Sequence, residues 1–194
     1  MPEREASGDV GLVQAFVNTV DFDHGPDELK DPNTLKSWLV ARKLMDETQP
    51  VGESDAGHAV AVREAMRGVI GGNTGLAVYP VDAATLNEAA SASRLRMRFG
   101  PDGKPRLEPE TGGVVGALGR LVAALYAATR DEQWPRLKLC GDPTCRWAFY
   151  DLSRNHSSRW CDMASCGNRQ KAKRFRSRVK TQGSGAAATR GRTA

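Results

Sequence analysis

Residues 140–166 read CGDPTCRWAFYDLSRNHSSRWCDMASC, and this stretch contains all four cysteines of the chain. The cysteines form two tight pairs, Cys140 with Cys145 and Cys161 with Cys166, separated by 15 residues. Pairs at this kind of spacing can close a tetrahedral site around Zn²⁺ that leaves no position open for a substrate. The stretch therefore predicts one structural zinc ion, held by all four thiolates, in a module that binds rather than catalyses.

Two other interpretations of the cysteines are two disulfides and unrelated buried thiols. Disulfides need an oxidising compartment, and the N-terminal residues MPEREASGDV lack the basic start and apolar core of a secretory signal. Unrelated core thiols would not occur as two tight pairs. His156 could replace one thiolate, but its polar surroundings, SRNHSS, are more typical of a solvated loop. We therefore favour the four-cysteine site and a cytoplasmic protein.

Charge is divided unevenly along the 194 residues. Residues 1–135 carry 14 Lys and Arg against 20 Asp and Glu, whereas residues 136–194 carry 14 against 3. An acidic body joined to a basic metal module indicates a sensing domain linked to a surface that contacts nucleic acid. Membrane surfaces also attract basic segments, but no apolar run approaches the roughly 20 residues that a membrane span needs. We expect no membrane partner.

Apolar residues recur at helical spacing through most of the first 130 residues. Helices are predicted from Asp9 in DVGLVQAFVNTV, after a cap at Asn33, after a cap at Ser54, from Asp82 to about Ser93, and in GALGRLVAALYAATRDEQ. Before the last helix, SRLRMRF alternates apolar and cationic residues and, with the turn GPDGKP and Arg106-Leu107-Glu108, predicts a β-hairpin. We interpret its arginines as a solvated face rather than a ligand surface.

The sequence between the cysteine pairs, RWAFYDLSRNHSSRW, predicts a second β-hairpin with its loop at about residues 153–158. A unit this small has little core, so we interpret its aromatic rings as packing around the metal rather than stacking on bases. After Cys166, CGNRQKAKRFRSRVK predicts a helix in which Ala172, Phe175 and Val179 face this hairpin.

The rest of that helix is cationic and contains no acidic residue. Like charges one helical turn apart destabilise a helix by roughly 0.2–0.5 kcal/mol per pair, so we expect an external polyanion to neutralise them. The candidate nucleic-acid-binding residues lie around the hairpin and along the helix: Arg146, Arg154, Arg159, Asn168, Arg169, Lys171, Lys173, Arg174, Arg176, Arg178 and Lys180.

The stretch CDMASCGNRQKAKRFRSR resembles the bacterial CGNR zinc-finger proteins, whose name matches Cys166-Gly167-Asn168-Arg169. The resemblance continues upstream through the first cysteine pair, residues 147–151 and Arg159-Trp160-Cys161. In that family the finger follows an ABATE domain. The beginning of that domain resembles two segments of this chain, FVNTVD at residues 16–21 and Leu35-x2-Trp38-Leu39. The resemblance implies a stress-responsive transcription regulator with the four cysteines as metal ligands, a DNA-binding finger and a leading domain that senses a small ligand.

Together these observations predict an α+β protein. Residues 1–133 are expected to form an ABATE-like, mainly helical domain with one β-hairpin. This domain is expected to bind an unidentified small-molecule effector. Residues 134–181 are expected to form a treble-clef-like zinc finger of hairpin and basic helix, and residues 182–194 a disordered tail. The expected partner is double-stranded DNA, with RNA or an acidic protein surface as alternatives, and the sequence leaves a homo-oligomer open. Because the chain shows no nucleophile with its base and no phosphate loop, we expect no enzyme.

Overall fold

The computed structural model describes residues 5–23 and 25–188, with side chains described as far as residue 178. Its helices are α1 (Gly8–Val17), α2 (Pro32–Ala41), α3 (Glu53–Gly72), α4 (Pro80–Ala92), α5 (Gly113–Thr129) and α6 (Asn168–Ala188). Its strands are β1 (Arg96–Phe99), β2 (Pro105–Glu108), β3 (Leu137–Leu139) and β4 (Ala148–Tyr150). The predicted class, α+β with a mainly helical N-terminal region, is confirmed.

Side-chain hydrogen bonds set where the helices begin. The Asp31 carboxylate accepts from the backbone N–H groups of Asn33 and Thr34, and Pro32 occupies the first helical position of α2. The predicted cap at Asn33 is therefore two residues too late. In α3 the Asp55 carboxylate accepts from the N–H of Gly52, so this helix also begins one residue before the predicted cap at Ser54.

One hydrophobic core joins the N-terminal helices to the second hairpin. Phe16, Leu39, Met66 and Leu121 are fully buried in it, which places α1, α2, α3 and α5 around a common centre. The same cluster continues through Trp134, Leu137, Leu139 and Ala148. The change from acidic to basic sequence near residue 134 is therefore not accompanied by a break in packing.

The first hairpin has the predicted strands. β1 pairs antiparallel with β2, with Arg96 opposite Glu108 and Phe99 opposite Pro105. Its arginines are exposed and form ion pairs with carboxylates: Arg96 with Glu110, Arg98 with Glu108 and Glu110, and Arg106 with Asp102. These contacts favour the interpretation of the cationic face as a solvated, locally neutralised surface.

The second hairpin differs from the prediction in its partner strand. β4 lies where the alternation of residues 147–150 indicates, but it pairs with β3, with Leu137 opposite Tyr150. The loop predicted at residues 153–158 is present, but the return strand expected after it does not form. The buried Asp151 carboxylate accepts from Lys138 Nζ and from the N–H groups of Ser153 and Ser158. These bonds curl the loop, and the first cysteine pair lies in the turn between β3 and β4.

Helix α6 is more exposed than predicted. Met163–Gly167 forms a single π-helical turn, and α6 follows it directly. Ala172 and Phe175 do not face the hairpin, since both are exposed and Phe175 has 68% of its surface accessible. Phe149 and Tyr150 are nevertheless buried, so the packing expected from α6 comes from other parts of the fold. The side chain of Val179 lies outside the described residues.

The C-terminal end continues α6 past the predicted boundary at residue 181, as far as Ala188. The remainder of the predicted disordered tail, residues 189–194, lies outside the described residues. Among the described residues, every helix is too short or too polar to cross a lipid bilayer.

Candidate metal centre

The four predicted ligands converge at the junction of four short segments. Cys140 follows β3, Cys145 precedes β4, Cys161 ends the loop and Cys166 lies in the π-helical turn. Their Sγ atoms all lie within 4.8 Å of one another, and the Cys145–Cys161 and Cys161–Cys166 separations are both 3.7 Å. A tetrahedral Zn²⁺ with Zn–S bonds of about 2.3 Å separates its sulfurs by about 3.8 Å. The residues therefore fit one zinc ion and are free thiols, not disulfides.

The pKa values of the cysteine thiols also favour a bound cation. Hydrogen bonds from the Cys145 and Cys161 thiols lower the pKa of Cys140 to about 2. The same hydrogen bonds raise the pKa of Cys145 to about 12 and raise the pKa of Cys161 as well. Without a cation, one thiolate is favoured and further deprotonation is opposed by its charge. A divalent metal ion removes this opposition, because it stabilises all four thiolates together.

Two glycines make room for the ligand turns. A Cβ at Gly141 would lie 3.1 Å from the Trp160 ring, and a Cβ at Gly167 would lie 2.5 Å from Met163 Sδ. Neither glycine has a positive φ, whereas Arg146 and His156 do, at 52° and 48°. The glycines after Cys140 and Cys166 therefore serve close packing around Trp160 rather than a left-handed turn.

His156 lies in the exposed part of the loop. Its carbonyl oxygen accepts a hydrogen bond from Lys138 Nζ at 2.5 Å. The cysteine cluster, as found among residues 5–23 and 25–188, does not include it. Its contribution in the described structure is to fix the loop through its backbone.

Arg169 binds carboxylates from both halves of the molecule. Its Nη2 lies 2.6 Å from Asp23 Oδ2, in the segment after α1, and its Nε lies 2.8 Å from the fully buried Asp142 Oδ2. Nη2 also donates to Cys166 Sγ at 3.2 Å. Hydrogen bonds to Asp23 and Cys166 raise the pKa of Arg169. The guanidinium that the sequence indicated as a nucleic-acid contact is thus engaged within the protein.

Two polar side chains, neither predicted to hold the finger in place, attach it to the helices. The side-chain amide of Asn18 makes the two hydrogen bonds that a neighbouring strand would make with Ala148. Its Nδ2 donates to the Ala148 carbonyl at 2.7 Å, and its Oδ1 accepts from the Ala148 N–H at 2.9 Å. Arg67, fully buried in α3, donates to the carbonyl of Arg146 and to that of Val17. A charged residue on a helix gives no sequence signal of burial, so Arg67 could not be found from the pattern.

The other predicted nucleic-acid-binding residues lie outside the metal centre. Arg146 and Arg159 are exposed and lie over the rings of Phe22 and Trp160 at 5.6 Å and 5.8 Å. Asn168 Nδ2 donates to the carbonyl of Ala164, and Arg154 is exposed in the loop. Along α6 the predicted contacts Lys171, Lys173, Arg174, Arg176 and Arg178 are exposed, while the side chain of Lys180 lies outside the described part of the chain.

A cleft of about 530 Å³ lies between the metal centre and the N-terminal helices. One side is formed by α1 and α2, including Asn18, Trp38 and Arg42, and the other side includes Cys145, Cys166 and Arg169. The cleft therefore contacts both halves of the molecule.

Comparison with known families gives two matches that follow one another along the chain. The family model described as "CGNR zinc finger" matches residues 136–179. The ABATE family model, described as "Putative stress-induced transcription regulator", matches residues 11–132, which is more than half of the chain. Comparison with curated proteins found no match. The two models occur in the order that the sequence motifs indicated.

Proposed function

Because the chain belongs to the ABATE family and ends in a CGNR zinc finger, we propose that it is a transcription regulator that binds double-stranded DNA through α6. The observation that carries the proposal is the surface of this helix. Five exposed Lys and Arg residues lie between positions 171 and 178, and residues 168–188 contain no acidic residue. Such a surface is stabilised by phosphates, whose bound counterions are released when a cationic helix replaces them.

The position of α6 also supports contact with a duplex. Its first turn is anchored to the metal centre by Arg169, whereas the following residues are exposed on all sides as far as residue 178. An α-helix fits the major groove, which is about 12 Å wide, so α6 can enter it without rearrangement of the body. Since Arg169 is engaged by Asp23 and Asp142, bases would be contacted by residues further along α6.

In this proposal the N-terminal helices hold the finger and respond to an effector, and the protein acts in the cytoplasm without a catalytic role. Four protein thiolates leave the metal no open coordination position for a substrate, which is the property of structural zinc sites. The metal then serves to fix the direction in which α6 leaves the body.

Selection of bound fragments from random duplex DNA tests the proposal. We expect enrichment of one sequence, and a steep fall of affinity with salt. Replacing Arg176 with Gln should reduce the slope of log K against log salt by about one unit, because one phosphate contact is lost. Arg98→Gln is the matched control, since Arg98 is equally basic and 58% exposed but is paired with Glu108 and Glu110 on the first hairpin. Equal effects of both substitutions would contradict a role specific to α6.

Phe175 favours a second candidate, a protein that binds single-stranded RNA or DNA. Its ring is 68% exposed in the middle of the cationic residues of α6, and exposed rings on basic surfaces stack with unpaired bases. Phe175→Leu keeps the apolar volume and removes the ring. If single strands are the partner, this variant should bind them about tenfold more weakly, since one stacked base contributes about 1–3 kcal/mol. Unchanged binding to single strands, with retained selection of one duplex sequence, would leave the duplex as the partner.

A further inference from the structure

The cleft between the metal centre and the N-terminal helices has the dimensions of a ligand site. Its volume of about 530 Å³ lies within the range of roughly 300–1,000 Å³ that small-molecule sites occupy. Its walls are helices α1 and α2 on one side and the cysteine turns on the other, and both are fixed by buried contacts. A small molecule could therefore bind there without first creating the space.

The α2 side of the cleft presents hydrogen-bond donors that are not used within the protein. The Arg42 guanidinium lies 4.0 Å above the centre of the Trp38 ring. Among residues 5–23 and 25–188, Arg42 makes no hydrogen bond or ion pair. Trp38 is only 6% exposed, and its indole N–H donates no hydrogen bond within the same described residues. Burial lowers the pKa of Arg42, and the charges of Glu28 and Glu5 oppose that shift. A guanidinium with unused N–H groups is suited to bind a carboxylate with two parallel hydrogen bonds.

Carboxylates line the remainder of the cleft. Glu5, Asp23 and Glu28 contribute to its lining, and Asp23 is paired with the cleft's other arginine, Arg169. The carboxylates therefore outnumber the guanidinium groups, which attracts a cation. Ala6, Ala15 and the rings of Trp147 and Phe149 supply apolar surface between these polar groups.

We propose that this cleft binds a small zwitterion that carries one ammonium group and one carboxylate on an apolar skeleton. The carboxylate binds Arg42 and Trp38, and the ammonium group binds on the side of Glu28. A purely anionic ligand would meet the excess of carboxylates, and a purely cationic ligand would leave Arg42 without an acceptor. Because Cys145, Cys166 and Arg169 also line the cleft, the ligand contacts the finger. Regulation of DNA binding by this contact rests on the proposed function, whereas binding of the ligand to the cleft does not.

Titration calorimetry of the zinc-loaded full chain with three matched probes tests the proposal. Phenylalanine carries both charges, phenethylamine lacks the carboxylate and 3-phenylpropanoate lacks the ammonium group, while ring and chain stay the same. We expect phenylalanine to bind roughly tenfold or more tightly than either of the others, because each charge-assisted hydrogen bond contributes at least that factor. Equal binding of phenylalanine and one singly charged probe would overturn the proposal. So would the absence of binding by phenylalanine and by the smaller alanine at concentrations well above about 1 mM.

Substitutions then assign each end of the ligand. Arg42→Gln should abolish the preference for phenylalanine over phenethylamine, whereas Glu28→Gln should abolish the preference for phenylalanine over 3-phenylpropanoate. Glu88→Gln is the control, because Glu88 is an exposed carboxylate on α4 that does not line the cleft. Circular dichroism confirms that each variant is folded. The same loss in both variants for all three probes would show a general effect on the cleft and would overturn the assignment. No nucleic acid is present, so failure here is distinct from failure of the DNA-binding proposal.

Discussion

Arg169, the last residue of the motif Cys166-Gly167-Asn168-Arg169, has a role that follows from its partners. It neutralises Asp142, whose fully buried Oδ2 lies 2.8 Å from the Arg169 Nε, and it donates to the sulfur of Cys166. Groups that hydrogen-bond to a metal ligand orient it and reduce the charge on its donor atom. Arg169 is therefore a residue that holds the metal centre and, through Asp23, joins it to the N-terminal half.

Replacing Arg169 with Gln should weaken zinc binding about tenfold to a hundredfold, because it removes an outer partner of a ligand sulfur and leaves Asp142 unpaired. Competition with a chromophoric chelator measures the affinity. Lys171→Gln is the control, since it removes an exposed positive charge two residues away without touching a ligand. If Arg169→Gln kept the zinc affinity of the parent and lost only affinity for DNA, Arg169 would be a nucleic-acid contact as the sequence first indicated.

Asp27 and Arg63 form a buried ion pair whose effect depends on pH. Their side chains are 8% and 3% exposed, and both carboxylate oxygens of Asp27 accept from the guanidinium, at 2.5 Å and 2.9 Å. Although burial alone would raise it, the pKa of Asp27 is lowered below 3.8 by its hydrogen bond with Arg63. A lowered folded-state pKa stabilises the protein above the unfolded value, and this contribution is lost as the pH falls through the folded value.

Asp27→Asn should therefore lower the free energy of unfolding by about 3–5 kcal/mol at pH 7, because Arg63 stays buried without its main partner. The difference between variant and parent should begin to shrink below about pH 4, where Asp27 of the unfolded parent takes up a proton, and should be lost as the pH falls through the lower folded-state pKa. Urea unfolding at a series of pH values measures both effects. Glu88→Gln, at an exposed carboxylate of α4, should follow the parent throughout. A difference that stays constant down to pH 2 would contradict the assigned titration.

At the scale of elements, the sequence predicted what depends on local pattern. The 3.6-residue spacing of apolar residues located the N-terminal helices, and the strict alternation of residues 95–99 located β1. The cysteine spacing identified the metal ligands, since a metal site requires only that the ligands can meet. The helix starts were displaced by one to three residues. At α2 and α3 the reason is that the cap depends on which of several neighbouring polar side chains turns back, as Asp31 and Asp55 do.

The partner of β4 could not be predicted, because pairing depends on contacts distant in sequence. LKL at residues 137–139 is too short to show a period, and it forms a strand because Leu137 and Leu139 enter the core of the N-terminal helices. The ion pair between Lys138 and the fully buried Asp151 then holds residues 151–160 as a loop, and the return strand expected after residue 158 does not form. The position of the cleft could not be predicted either, since its two walls are more than 100 residues apart in the chain.

At the scale of the whole molecule, the finger and the helices form one packed unit. Asn18 holds both backbone groups of Ala148, Arg67 holds the carbonyl that follows Cys145, and β3 shares the core of α3. An isolated zinc finger depends on its metal for folding, whereas here the hairpin has contacts that do not involve the metal. The metal centre therefore controls the cysteine turns and the direction of α6 more than it controls the body.

Removal of zinc by a chelator should consequently leave the body folded. We expect far-ultraviolet circular dichroism to retain most of its helical signal, because α1–α5 pack around a core that contains no cysteine ligand. Tryptophan fluorescence should shift, since Trp147 and Trp160 pack against the ligands, and the thermal midpoint should fall while one cooperative transition remains. Cys161→Ser should reproduce these changes without chelator, and re-addition of zinc should reverse them in the parent alone. Complete loss of the helical signal on chelation would instead mean that the body cannot fold without the metal centre.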